Sequence, residues 1–317
     1  MLGHLIIAGI DTVGIARPEH RVVGGTIHAY VNPAAGGAKA ALAALDQKSG
    51  FDVRLTPPER LAVALRQAVS AGEPRVLVAG GDGTIASAAA VLAGSDTALA
   101  VLPGGTLNHF ARDHGIPTDL EDALRVATEG RVTQVDVGYV NQRLFVNTSS
   151  VGVYVRFVET RDRLERHLGY WAASLVAGLR MLGSLRSTRV TVEVEGRKTE
   201  YVAPLAIIAI GERILVPPKL GQAVGEPGGA LHVVIPRGKR QARRFTRAYS
   251  RIDRGMSAEP QALGLDSALV DHVRLDLSRP TVKVAVDGEI VRQRTPLEYR
   301  LERGALSVVV PREEGDG

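Results

Sequence analysis

Two glycine-rich turns are the first parts of this 317-residue sequence whose residue types could support chemistry. The first, Gly-Gly-Asp-Gly-Thr at residues 80–84, and the second, Pro-Gly-Gly-Thr at 103–106, each follow an apolar run and precede a helical stretch. A strand, a glycine turn and a helix in that order bring backbone N–H groups and a helix N-terminus together, which favours a phosphate. Two such turns close together in the sequence predict a site for a polyphosphate.

Asp82 is the unusual member of the first turn. A carboxylate beside phosphates repels them unless a cation intervenes, so Asp82 indicates either an Mg²⁺ bridge or a hydrogen-bonding role. For one turn taken alone, a tight βα turn without a ligand remains an alternative. The sequence has neither GxGxxG nor GxxxxGK[ST], so dinucleotide binding of the Rossmann type and P-loop chemistry lose support.

An acidic pair near the C-terminus, Asp287 and Glu289, follows an alternating pattern at 282–286 that is typical of a strand. Two residues apart on an extended strand, the pair would share a face and lie roughly 7 Å apart. One carboxylate could accept the proton of an attacking hydroxyl while the other orients it or holds a metal. An exposed Asp-Gly hairpin turn without catalytic function is the alternative from this pattern.

Strand and helix patterns alternate from residue 26 to 138 and would position the glycine turns. Such alternation predicts a doubly wound parallel α/β sheet, which binds ligands at the carboxyl ends of its strands. Asn32 and Gly36 follow the first strand at that edge, and Thr56 is expected to cap the second helix. The predicted strands lie at 26–31, 51–55, 76–79, 98–102 and 132–137, and the helices at 38–47, 57–71 and 120–128, with another after each glycine turn.

Beyond residue 138 the patterns change. A strand at 144–153 and a long helix at 155–185 precede short alternating segments, which predict an antiparallel sandwich or barrel. We therefore expect an α/β domain at 1–138, in which 1–25 are an extension of unassigned structure, a β-rich domain at 139–317 and a cleft between them. Whether a final segment returns to the first domain is left open. The short strands are expected at 189–195, 203–210, 231–235, 273–277, 282–286, 297–301 and 306–310.

Composition excludes several classes of function. The chain has no cysteine, which excludes disulfides and thiolate catalysis and is typical of a cytoplasmic protein. Aromatic residues make up 4%, too few for a platform that stacks single-stranded nucleic acid. No run reaches the ~18 apolar residues of a membrane span, and the first residues do not resemble a secretion signal.

Residues 239–254 are the candidate for contact with a membrane. On a helix their arginines share one side, and a basic amphipathic helix binds an anionic bilayer surface, here the inner face of the membrane. The alternative is a solvated outer helix. The arginines assigned to the lipid surface are Arg240, Arg244, Arg247 and Arg251.

Taken together, these motifs resemble the diacylglycerol kinase catalytic-domain family, which includes bacterial lipid kinases and sphingosine kinases. The resemblance runs from residue 26 to 311 and includes landmarks at 136–138, 145–147 and 287–289. It implies ATP-dependent, Mg²⁺-assisted transfer of a phosphoryl group to a lipid hydroxyl, with diacylglycerol as acceptor and phosphatidic acid as product. It also implies an ATP-binding α/β domain followed by a β-rich domain for the lipid.

The family match also implies roles for individual residues. Glu289 or Asp287 is the expected proton acceptor, with Glu289 favoured, and Asp82 and Asp136 are expected near Mg²⁺ through water. The residues expected to line the nucleotide are Asn32, Gly36, Thr56, Gly80, Gly81, Asp82, Gly83, Thr84, Gly105, Thr106 and Asn108.

Two positions depart from the family pattern. His109 stands where the family usually has aspartate, which predicts altered Mg²⁺ affinity or geometry. Gly228 stands where many bacterial members have a ligand for a structural Mg²⁺, so that metal is expected to be absent.

Three alternatives stay open at this point. The Gly-Gly-Asp-Gly element also occurs in NAD kinases, and a sphingoid base is another acceptor within the family. The departures at His109 and Gly228 motivate a non-catalytic protein that binds nucleotide or lipid. Protein partners, a homodimer and the physiological lipid are not assigned by the sequence.

Overall fold

The α/β part of the computed structural model is a doubly wound sheet. The structure describes residues 26–183, 187–213, 224, 228–236 and 265–312, so residues 1–25 and the predicted membrane helix at 239–254 lie outside the described residues. The parallel strands have the order β2-β1-β3-β4. In chain order the elements are β1 Ile27–Val31, α1 Ala38–Asp46, β2 Phe51–Leu55, α2 Pro58–Ser70, β3 Arg75–Gly80, α3 Asp82–Leu92, β4 Ala98–Pro103, α4 His109–Asp113 and α5 Leu120–Glu129.

Apolar runs make β3 and β4 the centre of this sheet, and every residue of both strands is buried. One core cluster packs α2 and α3 against one face, and another packs α1 and α5 against the opposite face. Because both faces are covered, these strands show continuous apolar sequence rather than alternation. The strand order reverses between β1 and β3, and an open α/β sheet binds its ligand at such a point.

The second part of the chain forms a sandwich. Six antiparallel strands in the order β12-β11-β10-β7-β14-β15 make one layer, and β8, β9 and β13 extend the first sheet to face it. A shared core cluster lies between the layers and includes Tyr299, Phe145, Ile208 and Leu231. The elements are β5 Arg131–Val140, β6 Arg143–Phe145, β7 Thr148–Gly152, α6 Val153–Gly183, β8 Thr188–Val194, β9 Arg197–Ala203, β10 Leu205–Ile210, β11 Leu231–Pro236, β12 Leu265–Val270, β13 His272–Leu277, β14 Thr281–Val286, β15 Glu289–Arg294 and β16 Leu297–Val310.

Strand β16 is a final segment that returns to the first sheet. Its first half pairs with β13 and its second half runs parallel to β4. Both halves run antiparallel to β5, with a register shift between Glu302 and Leu306. The segments predicted at 297–301 and 306–310 are thus one long strand that returns to the first sheet. Strand β5 crosses the boundary expected at residue 138, and that boundary stays a proposal.

Several sequence predictions need correction. The strand expected at 144–153 is interrupted between β6 and β7, and the long helix α6 contains a non-helical residue, Gly169, at φ 72° and ψ 166°. Strand β10 begins at Leu205, and β9, β12 and β15 were not predicted. β9 and β15 are edge strands with mostly exposed or half-exposed side chains, so they lack the apolar alternation that marks a half-buried strand.

The predicted N-cap of α2 is wrong. Pro57 occupies the N-cap position with extended backbone angles and makes no side-chain cap bond. Thr56 is buried, its Oγ1 donates to the carbonyl of Arg54 and its N–H donates to the carbonyl of Val31. The hydroxyl therefore serves the ends of β1 and β2 rather than the helix. Within the part of the chain that the structure describes, no helix is long and apolar enough to span a membrane.

Two histidines, the buried His232 and the partly buried His114, predict acid sensitivity of the fold. Burial lowers the pKa of His114 to about 4, and burial together with the nearby Arg213 lowers that of His232 to about 4. Between pH 6.5 and 4 the unfolded chain binds protons at these positions that the folded chain does not, so the free energy of unfolding falls as the pH falls. Asp287, whose pKa is raised to about 6 by burial, acts in the opposite direction over nearly the same range, but it is one group against two.

We expect His232→Asn to reduce the loss of stability between pH 7 and pH 5 by about 2 kcal/mol, because asparagine keeps an acceptor near the Nδ1 position and does not titrate. Urea unfolding at the two pH values measures this difference. His272→Asn, at an exposed position on β13, is the control and should leave the loss unchanged. An equal loss in wild type and His232→Asn would contradict the assignment.

Candidate active site

Three loops meet at the carboxyl edge of the parallel sheet, as the sequence predicts. The N–H of Gly37 donates to the carbonyl of Gly104 at 3.1 Å, and the N–H of Gly104 donates to that of Gly80 at 2.9 Å. A Cβ placed on Gly105 would lie 2.8 Å from the Cα of Gly81. The loops after β1, β3 and β4 are therefore packed backbone against backbone.

Close approach, not an unusual backbone conformation, explains the glycines in these loops. Glycines 80, 81, 83, 104 and 105 do not adopt positive φ, so conformational freedom is not what the two turns use. Glycine at 81 and 105 lets the two loops approach each other closely, since side chains there would force the loops apart. Gly36 was predicted to line the site, but a Cβ there would meet nothing within 4 Å. Gly37, which was not predicted, is the crowded position, since its Cβ would lie 2.9 Å from the Cα of Gly104.

The N-terminus of α3 lies at the centre of these loops. Asp82, Gly83 and Thr84 form its first turn, where backbone N–H groups have no acceptor within the helix. The Oγ1 of Thr84 accepts from Nδ2 of Asn32 at 3.0 Å, and Oδ1 of Asn32 accepts from the N–H of Ala34 at 2.9 Å. Asn32 thus ties the end of β1 to the start of α3, and the N–H groups of that turn suit an anion.

The side chain of Asn108 holds the second glycine loop in place through two hydrogen bonds. It has left-handed backbone angles, φ 50° and ψ 47°, immediately before α4. Its Nδ2 donates to the carbonyl of Gly105, and its Oδ1 accepts from the N–H of the same residue, both at 2.9 Å. The amide side chain and one loop N–H are thus already paired with each other, while Thr106 beside them is exposed.

The acidic pair does not lie on one face of an extended strand, so that expectation is wrong. Asp287 and Gly288, at φ 47° and φ 86°, form a two-residue turn between β14 and β15, in which Val286 pairs with Glu289. Asp-Gly is a favoured sequence for such a turn. The two carboxylates are consequently placed in different surroundings.

The Asp287 carboxylate is saturated with backbone donors. Oδ2 accepts from the N–H of Val146 at 2.8 Å, and Oδ1 accepts from those of Asn147 and Thr148 at 2.9 and 3.0 Å. Burial raises the pKa of this carboxyl to about 6, against the lowering effect of the three hydrogen bonds, and the charge of Asp82 adds to the rise. Asp287 therefore holds the break between β6 and β7, and it lies near enough to Asp82 to sense its charge.

Glu289 faces the first turn of α3. One oxygen, Oε1, lies 3.5 Å from the position of a Cβ on Gly83, and the other, Oε2, accepts from Nη2 of Arg143 at 2.9 Å. The Glu289 side chain is half exposed. Arg143 was missed because no motif marks it and its partner lies 146 residues away.

Asp82 and Asp136 have separate environments. Oδ1 of Asp82 accepts from the N–H of Phe110, in α4, at 3.3 Å. The oxygens of Asp136 accept from the N–H groups of Gly229 and Gly304 at 2.7 and 2.8 Å. Among the described residues, no group of three or more histidine, aspartate or glutamate residues could hold a metal ion. A role for Asp136 near Mg²⁺ stays a prediction.

The two departures from the family pattern lie in different places. His109 is exposed as the first residue of α4, next to the N–H that binds Asp82. Gly228, at φ 138°, packs against Asp136, since a Cβ there would lie 2.9 Å from Oδ2. A side chain at position 228 would thus collide with the Asp136 carboxylate, which accepts a hydrogen bond from the N–H of Gly229.

The α/β part of the chain is the part that matches a known family. Residues 26–140 match the family model of the diacylglycerol kinase catalytic domain. Over these residues the chain is similar to that family. The resemblance inferred from the glycine turns is therefore confirmed, and the matched segment contains β1 to β5 with all three converging loops.

Curated relatives named as a probable lipid kinase or a diacylglycerol kinase match about half of this chain. A probable lipid kinase YegS-like of Cronobacter sakazakii is 36% identical over 173 residues, which are 52% of this chain and 57% of the relative. A diacylglycerol kinase of Staphylococcus saprophyticus is 28% identical over 170 residues, 52% of this chain and 55% of the relative. The chain thus spans a little over half the length of these curated relatives.

The solved structures extend the similarity of fold. A putative diacylglycerol kinase from Bacillus anthracis covers 90% of this chain, with 96% of its own chain, at a TM-score of 0.70 and 20% identity. A second structure from the same organism gives a TM-score of 0.66 at 18% identity. The α/β sheet followed by the β-rich sandwich is thus a known fold.

Proposed function

We propose that this protein is a lipid kinase that transfers the γ-phosphoryl group of ATP to the hydroxyl of diacylglycerol. The observation that carries the proposal is the placement of Glu289. Its carboxylate, on the second sheet, faces the first turn of α3, the phosphate-type site of the first sheet. A proton acceptor opposite a phosphate cradle is the arrangement that phosphoryl transfer to an alcohol requires.

The nucleotide phosphates would bind at the α3 N-terminus. The N–H groups of its first turn and the positive end of the helix dipole favour negative charge there. The neighbouring loops are held by Asn32 and Asn108, which fix the cradle without using the first-turn N–H groups of α3.

Mg²⁺ fits Asp82 better than Asp136. Mg²⁺ in kinases is held by one or two carboxylates together with phosphate oxygens, and Asp82 is a partly exposed carboxylate in the phosphate turn itself. Both oxygens of Asp136 accept backbone N–H groups away from that turn. When bound, the ion neutralises charge on the phosphates.

Glu289 is our assignment for the general base, and Asp287 is a positioning residue. The base takes the proton of the lipid hydroxyl as the new O–P bond forms and the bond to the departing ADP oxygen breaks. Glu289 suits this step because its Oε1 faces the cradle. Asp287 does not, because each of its oxygens already accepts backbone N–H groups.

Purified protein with ATP, Mg²⁺ and a panel of acceptors tests the proposal. Diacylglycerol should be phosphorylated faster than a sphingoid base, and NAD should not become NADP. NADP formation would favour an NAD kinase-like activity. Nucleotide binding without transfer to any acceptor would favour a regulatory protein and contradict the proposed activity.

We expect Arg143→Gln to lower kcat by about 10- to 100-fold with little change in the KM for ATP. Without Arg143 the Glu289 carboxylate would no longer be held in line with the lipid hydroxyl. Steady-state kinetics with diacylglycerol measure this split. Arg143→Lys should recover part of the rate, and Arg292→Gln, at an exposed position on the strand that begins with Glu289, is the matched control. A normal kcat in Arg143→Gln would remove Arg143 from the site.

Peripheral binding at the inner face of the membrane is part of the same proposal, because the acceptor is a lipid. The arginines assigned to it, Arg240, Arg244, Arg247 and Arg251, lie outside the described residues. Co-sedimentation with vesicles that contain phosphatidylglycerol, compared with neutral vesicles, tests the assignment. Equal binding to both kinds of vesicle would contradict it.

A further inference from the structure

A buried ion pair joins the two parts of the molecule beside the candidate site. Nη1 of Arg213, just beyond β10, donates to Oδ2 of Asp113, the last residue of α4, at 2.6 Å. Their side chains are 5% and 14% exposed. A charge so enclosed depends on its partner, because removal of one member leaves the other desolvated.

The arginine side of this pair is rigidly held. Nε and Nη2 of Arg213 donate to the carbonyl of Ile210 at 3.1 and 2.8 Å, and its backbone N–H donates to Nδ1 of His232 at 3.0 Å. His232 lies on β11, which pairs with β10 on one side. The Arg213 guanidinium is therefore held in one orientation by residues of the six-stranded sheet.

On the other side of the ion pair, helix α4 connects Asp113 to the loops proposed to bind phosphate. Helix α4 has five residues, too few to be stable alone, and its position therefore depends on its contacts. At its other end the N–H of Phe110 donates to Asp82, and Asn108 before it binds Gly105 through two hydrogen bonds. One helical turn separates the ion pair from the residues that shape the nucleotide loops.

We propose that Arg213 is a positioning residue that couples the β-rich part of the chain to the nucleotide site. The Arg213–Asp113 ion pair anchors α4 on the six-stranded sheet, and α4 in turn fixes Asp82 and the loop at Gly105. Its kinetic consequence rests on the proposed kinase activity, whereas its structural consequence does not. Arg213 itself touches no reacting group in this arrangement.

Hydrogen exchange of the ligand-free protein tests the coupling independently of activity. In Arg213→Gln, amides of residues 105–113 should exchange at least about 10-fold faster than in wild type, while those of β1 and β3 stay unchanged. Arg274→Gln is the matched control, since Arg274 pairs with Glu298 and Asp276 on the same part of the chain and is 38% exposed. Asp113→Asn, which preserves shape, gives the same measurement if Arg213→Gln does not fold.

Kinetics then separate positioning from general stability. Arg213→Gln and Asp113→Asn should each raise the KM for ATP about 10-fold and leave the KM for diacylglycerol unchanged, and the double variant should resemble either single one. Partial recovery in Arg213→Lys would support the coupling.

Two results would overturn the coupling. Faster exchange spread evenly over both sheets would show a merely structural pair, and unchanged exchange at 105–113 in Asp113→Asn would show that α4 is held otherwise. If wild type has no kinase activity but the exchange result holds, the proposed function fails and the coupling stands.

Discussion

Glu289→Gln is expected to reduce lipid phosphorylation by about 10²- to 10⁴-fold while ATP still binds, because the amide cannot accept the hydroxyl proton. The substitution keeps the size of the side chain, and glutamine can still accept from Arg143, so the hairpin should remain folded. Turnover with diacylglycerol and titration with a fluorescent ATP analogue measure the two quantities separately.

The control for this substitution is Glu302→Gln, which removes an exposed carboxylate of β16 that pairs with Arg300. It should leave kcat unchanged. Asp287→Asn should behave differently from both, because its amide NH2 replaces one carboxylate oxygen and leaves at least one of the three backbone N–H groups without an acceptor. We expect a loss of folding stability there. A folded Asp287→Asn without turnover, beside an active Glu289→Gln, would reverse the two roles.

Gly105→Ala is the second substitution with a large expected effect. The added Cβ would lie 2.8 Å from the Cα of Gly81 and 3.1 Å from Oδ1 of Asn108, distances that require the two loops to separate. Overpacking of this kind costs about 1–3 kcal/mol, which corresponds to about 5- to 150-fold weaker binding of ATP if the cost falls on the cradle.

Isothermal titration with ATP and Mg²⁺ measures the change in affinity, and thermal unfolding of the ligand-free variant shows whether the fold is retained. Affinity equal to wild type in Gly105→Ala would mean that the contact between the loops does not shape the nucleotide site. Weak binding in a well-folded variant would support it.

The fold was largely predictable where burial leaves a continuous or alternating pattern. Strands β3 and β4 are covered on both faces, so their apolar runs were unmistakable, and the glycine turns after them marked the carboxyl edge. The edge strands β9 and β15 left no such pattern, since their side chains are mostly exposed or half-exposed. The return of β16 to the first sheet depends on pairing across more than a hundred residues, which local patterning does not encode.

The candidate site was predictable in its members more than in their roles. Asp287 and Glu289 were identified, but positive φ at Asp287 turns its carboxylate onto the backbone of residues 146–148, while Glu289 faces the first turn of α3. Arg143 and Arg213 act through partners far away in the sequence, and their positions carry no motif. Asp136 was expected near Mg²⁺ through water; its oxygens accept from the N–H groups of two glycines, and its role near the metal stays a prediction.

Transfer of labelled γ-phosphate from ATP to diacylglycerol, with wild type and Glu289→Gln compared in the same mixed micelles, tests the central claim most directly. Labelled phosphatidic acid should form with wild type and remain near background with the variant, while both proteins bind ATP. Labelled lipid at equal rates with both proteins, or none with a wild type that binds ATP, would contradict the account.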